Sequence, residues 1–209
     1  QMSAGGSHLR PALAASVVWF GAVGAGLAYG TSGESAATST TLAAVPSEWV
    51  VDGGALSITV SQLGQEVTGE FADWTASINF SETPTDGVYG DVTVIIAIPS
   101  LTLGGVTEQA LAPDFLNAAS FATAQFSGPI LQDGDAFLVD GTLDMVGQSQ
   151  PLQLPFALEL EGDVATASGT TQLDRRSFGM GESYDDESTV GFGVGITFDL
   201  TATRGGDEG

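Results

Sequence analysis

Residues 152–160 read LQLPFALEL and residues 192–200 read FGVGITFDL. In both stretches every second residue is large and apolar, while the residues between are Gln153, Pro155, Ala157 and Glu159, or Gly193, Gly195, Thr197 and Asp199. A period of two puts one set of side chains on one face of an extended strand, whereas a helix needs a period near 3.6. Leu152, Leu154, Phe156, Leu158 and Leu160 therefore form one apolar ladder, and Phe192, Val194, Ile196, Phe198 and Leu200 form another.

The same alternation extends through the rest of the chain from Trp49. Leu56, Ile58 and Val60 alternate with Ser57, Thr59 and Ser61; Trp74, Ala76, Ile78 and Phe80 with Thr75, Ser77 and Asn79. Val92, Val94, Ile96 and Ile98 share a face, as do Phe137, Val139, Gly141, Leu143 and Met145. Asp52-Gly53-Gly54, Thr85-Asp86-Gly87, Asp133-Gly134-Asp135 and Glu161-Gly162-Asp163 are turn signals between these runs. The one helical candidate is 107–119, with Thr107 in a capping position and Pro113 inside it. No β-α-β alternation is present, so a parallel sheet is excluded. About eight antiparallel strands, each with one apolar side, either close into a barrel or pack as a two-sheet sandwich. Periodicity alone leaves both open.

Upstream, residues 11–30 read PALAASVVWFGAVGAGLAYG and carry no charge. Twenty helical residues span about 30 Å, one hydrocarbon thickness. Arg10 precedes this stretch and the next cation is Arg175. The positive-inside rule then places everything after Tyr29 outside the cytoplasm. The segment reads as an uncleaved inner-membrane anchor or as a signal peptide cleaved near Ala28-Tyr29-Gly30. Residues 31–47, small and rich in Ser and Thr, read as a flexible linker. The domain then runs over 48–204, with a disordered tail at 205–209.

Composition narrows function. Four Lys+Arg oppose 26 Asp+Glu, a formal net charge of −22, and all four cations are arginines. Nucleic acid is excluded as a partner, because binding it requires cations that displace phosphate counterions. Zero Cys removes disulfides and thiolate chemistry, and the lone His8 removes Ser-His-Asp catalysis and His-rich metal sites. The carboxylates fall mostly on outward strand positions and turns, where no apolar surroundings shift their pKa. Glu182, Asp185, Asp186 and Glu187 make an acidic loop that is either solvated or a weak calcium site. Arg175 and Arg176 are each either partners of an acid or donors to a ligand's polar end. The large inward aromatics Trp74, Phe80, Phe121, Phe126, Phe156, Phe192 and Phe198 fit a packed core and a lined pocket equally.

Several segments, in order, resemble the YceI family of bacterial lipocalin-like proteins. They are Trp49-Val50-Val51-Asp52 with Leu56-Ser57-Ile58; Val67-Thr68-Gly69-Glu70-Phe71; Leu111 to Asn117, then Phe121 to Phe126; Val139 to Gly147; and Leu173-Asp174-Arg175-Arg176-Ser177-Phe178-Gly179. The resemblance implies an eight-stranded antiparallel barrel with one short helix and a long apolar pocket. It also implies a periplasmic, non-catalytic carrier of an isoprenoid or quinone-like lipid, with no other cofactor. Lining positions would be Ile58, Val60, Trp74, Ile78, Phe80, Ile96, Phe121, Phe126, Val139 and Leu143, with Phe156, Leu158, Phe192, Val194, Ile196 and Phe198. Arg175 matches the family's recurrent Arg and is expected at the ligand's polar end. Two positions depart from the family: Ser61-Gln62-Leu63-Gly64-Gln65 lacks the hairpin His of many members, and Ser177 stands where Asp is usual. The Gln-Leu-Gly form is similar to members fused behind cytochrome b561-like membrane domains. A tethered accessory subunit of a membrane complex, for example a respiratory one, is the alternative function.

Overall fold

The computed structural model describes residue 42 and residues 48–205. The expected anchor or signal at 11–30, nearly all of the linker, His8, and the tail beyond 205 lie outside these residues. No helix among the described residues is long and apolar enough to cross a membrane.

The strands are β1 (Trp49–Gln62), β2 (Gln65–Phe71), β3 (Trp74–Thr85), β4 (Val88–Ala97), β5 (Leu101–Thr102), β6 (Thr123–Asp133), β7 (Ala136–Met145), β8 (Gln148–Glu161), β9 (Val164–Asp174) and β10 (Val190–Arg204). One helix, α1 (Thr107–Leu111), lies between β5 and β6. The sheet order is β10-β9-β8-β7-β6-β4-β3-β1, and β1 pairs back onto β10, so the sheet closes on itself. All these pairings are antiparallel. Closure removes the free edges that a sandwich would leave.

Ten strand segments make eight staves. β2 faces β1 with Ser57 opposite Glu70, and β3 faces β1 with Trp49 opposite Ile78, which is one continuous register. β2 and β3 are thus a single stave broken at Ala72-Asp73. The neighbouring stave breaks at the same level, at the 3-10 turn Ile98–Ser100 between β4 and β5. Bonds across the two breaks replace the ladder: Ala97 N–H donates to the Asp73 carbonyl at 2.9 Å, and Asp73 N–H to Ser100 Oγ at 3.0 Å.

The ladder is also open between β8 and β9. Their pairing runs only from Phe156 opposite Gly169 to Glu161 opposite Val164, although both strands continue toward Gln148 and Asp174. The Gln153 carbonyl points to β9, where it accepts the Thr171 hydroxyl at 2.8 Å. Residues two apart present their N–H on the same side, so Pro151 and Pro155 face β9 at positions where a donor is needed and none exists. Side-chain bonds bridge the gap instead, including Gln150 Nε2 to the Ser177 carbonyl at 2.8 Å.

The helix is shorter than the expected 107–119. Ala112 is extended (φ −67, ψ 162) because Pro113 disfavours helix in the preceding residue. Thr107 does not cap by its side chain; its hydroxyl accepts from Leu103 N–H (2.8 Å) and donates to the Gly104 carbonyl (2.9 Å), closing the preceding turn.

Candidate functional site

The barrel encloses an apolar cavity of about 260 Å³. Its walls are the inward faces of the alternating strands. Ile58 and Val60 come from β1, Trp74, Ile78 and Phe80 from β3, and Ile96 from β4. Phe126, Val139 and Leu143 come from β6 and β7, Phe156 and Leu158 from β8, and Val194, Ile196 and Phe198 from β10. The β8 ladder from Leu152 to Leu160 covers eight residue steps, about 26 Å of strand at roughly 3.3 Å each, so the cavity is elongated. Gly141 does not create space: a Cβ there would lie 2.5 Å from the Phe126 ring, which occupies the position instead.

The floor is aromatic. Trp49, 2% exposed, donates its indole N–H to the Phe80 carbonyl at 3.4 Å. Phe80 meets Phe137 edge-on at 5.4 Å between centroids; Phe137 stacks on Phe156 at 5.7 Å; Phe156 approaches Phe198 at 6.4 Å. Rings offset in this way add to the burial of their area, and the chain of rings runs from Trp49 at that end of the barrel to Phe156 at the middle of the β8 ladder.

At the other end, two chain segments supply the cover. Residues 98–122 contribute Ile98, Leu103, Val106, Gln109, Phe115 and Leu116 to the lining, and the connection after β9 contributes Arg175 and Met180. Phe115 packs on Tyr184 at 5.6 Å, and Gly181 N–H donates to the Asp114 carbonyl at 2.6 Å. Gly181 has φ +65, and a Cβ on it would meet the Phe115 ring at 2.8 Å and Arg175 Nη1 at 2.9 Å.

Arg175 does not act as the sequence suggested. It is 2% exposed, and all five of its N–H groups end on backbone carbonyls. Nε donates to Gly191 (3.0 Å), Nη1 to Met180 (2.8 Å) and Gly181 (2.9 Å), and Nη2 to Tyr184 (2.7 Å) and Val190 (3.1 Å). Burial pulls its pKa below the ordinary guanidinium value, and the Asp174 charge opposes this. A guanidinium has five donors, so none remains for a ligand's polar group. Arg175 clamps the cover to the start of β10.

Arg176 holds Asp174. Its Nη2 lies 2.5 Å from Asp174 Oδ2, its Nε donates to the same carboxylate, and its guanidinium rests 3.9 Å from the Phe192 ring centroid. The Arg176 side-chain bond is the main reason the Asp174 pKa falls to about 2; partial burial opposes the shift, and the Arg176 backbone N–H adds to it. A lowered folded-state pKa means the pair's stabilisation is present above the ordinary carboxylate pKa and is lost as pH falls toward 2. A carboxyl NMR titration is expected to find the Asp174 midpoint near 2 and, in Arg176→Ala, back in the ordinary carboxylate range. An unmoved midpoint in the variant would rule out Arg176 as the cause.

Two expected lining residues lie elsewhere. Phe192 is turned out of the cavity because the β1–β10 register slips: Val60 faces Val194 but Gln62 faces Val190, so four residues of β10 span two of β1. Val190 and Val194 on either side both line the cavity, while Phe192 lies inside the bulge and its ring lies under Arg176 and Arg175. Phe121 precedes β6 in non-strand backbone, where period two has no meaning, and its ring lies against the Gly147 turn. Conversely, Gln62, marked in the sequence only as part of the segment that lacks the family's hairpin His, and Gln109, not singled out there, line the covered end. Each reads as an ordinary surface polar residue until the fold brings them together: Gln62 Nε2 donates to Gln109 Oε1 (3.3 Å), and Gln109 Nε2 donates to the Tyr184 hydroxyl (3.3 Å).

The family model for the YceI-like domain matches residues 49–202. The chain belongs to the YceI-like family. Its barrel is similar to the crystal structure of Burkholderia cenocepacia BcnA, at 25% identity and TM-score 0.66, over 72% of this chain and 96% of that one. It is also similar to a polyisoprenoid binding domain from Saccharophagus degradans implicated in plant cell wall breakdown, at 17% identity and TM-score 0.55, over 77% and 100% of the two chains. The Campylobacter jejuni YceI protein aligns at 18% identity and TM-score 0.54, over 66% and 85%. No curated protein matches the chain. The YceI-like match begins at Trp49, which forms the floor, and ends at Ala202, buried at the same end of the barrel.

Proposed function

We propose that this YceI-like protein is a carrier that holds one polyisoprenoid or quinone-like chain inside the barrel and does no chemistry on it. The observation that carries the reading is the elongated cavity, walled by aliphatic and aromatic side chains along the whole β8 ladder from Leu152 to Leu160. A long hydrocarbon gains roughly 25 cal/mol for each Å² of apolar surface it removes from water in such a space. The Saccharophagus degradans domain of the same fold, a polyisoprenoid binding domain, supports the choice of chain. Among the described residues, the lining contains no Asp, Glu, His, Lys, Cys or Tyr, so no ordinary general acid or base faces the ligand to activate the hydroxyls of Ser61 and Thr171. The uncharged stretch after Arg10 supports a location outside the inner membrane, with residues 11–30 as the tether or signal.

Native mass spectrometry of the purified 209-residue protein, with organic extraction, is expected to find a copurified isoprenoid, and the delipidated protein is expected to take up a polyprenol. A protein that is empty as isolated and takes up no polyprenol removes the carrier reading. A phosphatase fused after Gly209 is expected to be active in the periplasm; an inactive fusion that is stably produced removes export.

A further inference from the structure

Seven side chains in the lining have nitrogen or oxygen atoms: Trp49, Ser61, Gln62, Trp74, Gln109, Thr171 and Arg175, and the Trp49 indole N–H donates to the Phe80 carbonyl. Thr171 donates its hydroxyl to the Gln153 carbonyl, and Arg175 has no donor left. Trp74, Ser61 and the two glutamines remain; the indole of Trp74 can only donate, whereas Ser61 and the glutamines also accept, and the glutamines are joined at the covered end, with Gln109 bonded in turn to Tyr184. The amide bonds that join them use one acceptor of Gln109 and one donor from each amide. The Gln62 carbonyl oxygen and one N–H on each glutamine are left over. Such a set matches one neutral oxygen that both donates and accepts, or only accepts.

The charge around this end points the same way. Cover segments 98–122 and 179–189 carry Glu108, Asp114, Glu182, Asp185, Asp186 and Glu187, and no Lys, Arg or His. Among the described residues the cations are Arg175, Arg176 and Arg204. Arg175 is saturated, Arg176 is chelated by Asp174, and Arg204 lies over Trp49 at the floor. A phosphate monoester brings a charge of roughly −1.5 to −2; the charges of Arg175 and Arg176 are already opposed by Asp174 and Glu187, and the remaining cover acids repel it.

Building on the carrier reading, we infer that the ligand's polar end is an uncharged hydroxyl or carbonyl oxygen held by Gln62 and Gln109, and that prenyl phosphates are discriminated against. The test uses the delipidated 209-residue protein and three ligands of equal chain length: a polyprenol, its monophosphate and the corresponding hydrocarbon. Binding is read by quenching of tryptophan fluorescence, since Trp74 and Trp49 line the cavity. The monophosphate is expected to bind at least tenfold more weakly than the prenol at low ionic strength, with the gap narrowing as salt is added. The Gln62→Leu, Gln109→Leu double variant, folded by circular dichroism, is expected to lose about tenfold for the prenol and nothing for the hydrocarbon. If that variant does not fold, the wild-type comparison of prenol and monophosphate decides alone. Equal or tighter binding of the monophosphate overturns the inference and leaves the carrier reading intact, as does unchanged prenol affinity in a folded double variant. Binding of none of the three overturns both.

Discussion

Arg175→Ala is expected to lower the unfolding free energy by about 3–5 kcal/mol, measured by urea denaturation at neutral pH. A hydrogen bond to a charged donor contributes roughly 1.5–3 kcal/mol, and Arg175 makes five, all to main-chain carbonyls of the cover and of β10. The net loss falls well short of five times that range, because some carbonyls regain water and the arginine is hydrated in the unfolded chain. It remains large because the side chain is 2% exposed and ties together residues 180, 181, 184, 190 and 191, which make no continuous ladder of their own. Arg175→Lys keeps the charge but has three donors on a single nitrogen in place of a five-donor planar fork, and is expected to recover less than half of the loss. A change below 1 kcal/mol in Arg175→Ala would show that the cover is held by apolar packing alone. In that case Phe178 and Met180, both buried, would be the residues to test.

Phe156→Asp is expected to abolish polyprenol retention and to destabilise the barrel by about 3–5 kcal/mol, the range for loss of a large buried aromatic. Phe156 lies mid-ladder on β8, in the lining, between Phe137 at 5.7 Å and Phe198 at 6.4 Å. The substitution removes both ring contacts and places a carboxylate where no donor faces it, so the group either stays charged at a cost of several kcal/mol or takes up a proton. Phe156→Leu is the matched control. It keeps an apolar side chain in the wall and is expected to retain the polyprenol with a smaller loss of stability. Wild-type stability and full polyprenol retention in Phe156→Asp would mean that this residue faces out. A one-residue error of that kind turns every side chain of the strand to the opposite face.

The alternation in 152–160 and 194–200 determined where the strands lie and which side chains share a face, because the reversal of Cβ direction at each residue is a property of the local backbone. Composition likewise determined that disulfides and cysteine thiolate chemistry are absent, since no fold creates side chains the chain lacks, and that four arginines against 26 acids disfavour a nucleic-acid partner. The positions that broke the pattern required the tertiary structure. Phe192 has the phase of a lining residue, but a register slip between β1 and β10 turns it outward, and a slip is a relation between two strands 130 residues apart in the chain (Val60 opposite Val194, Gln62 opposite Val190). The incomplete β8–β9 ladder follows from which side Pro151 and Pro155 present to β9, which depends on how the sheet closes. Arg175 belongs to the motif that resembles the family, yet its role depends on five carbonyls contributed by the chain after it. Gln62 stands out in the sequence only as part of the segment without the family's hairpin His, and Gln109, 47 positions on, carries no signal at all, because a lone glutamine is polar anywhere. Closure of the barrel brings them together at the covered end of the cavity, where a ligand's oxygen would meet them.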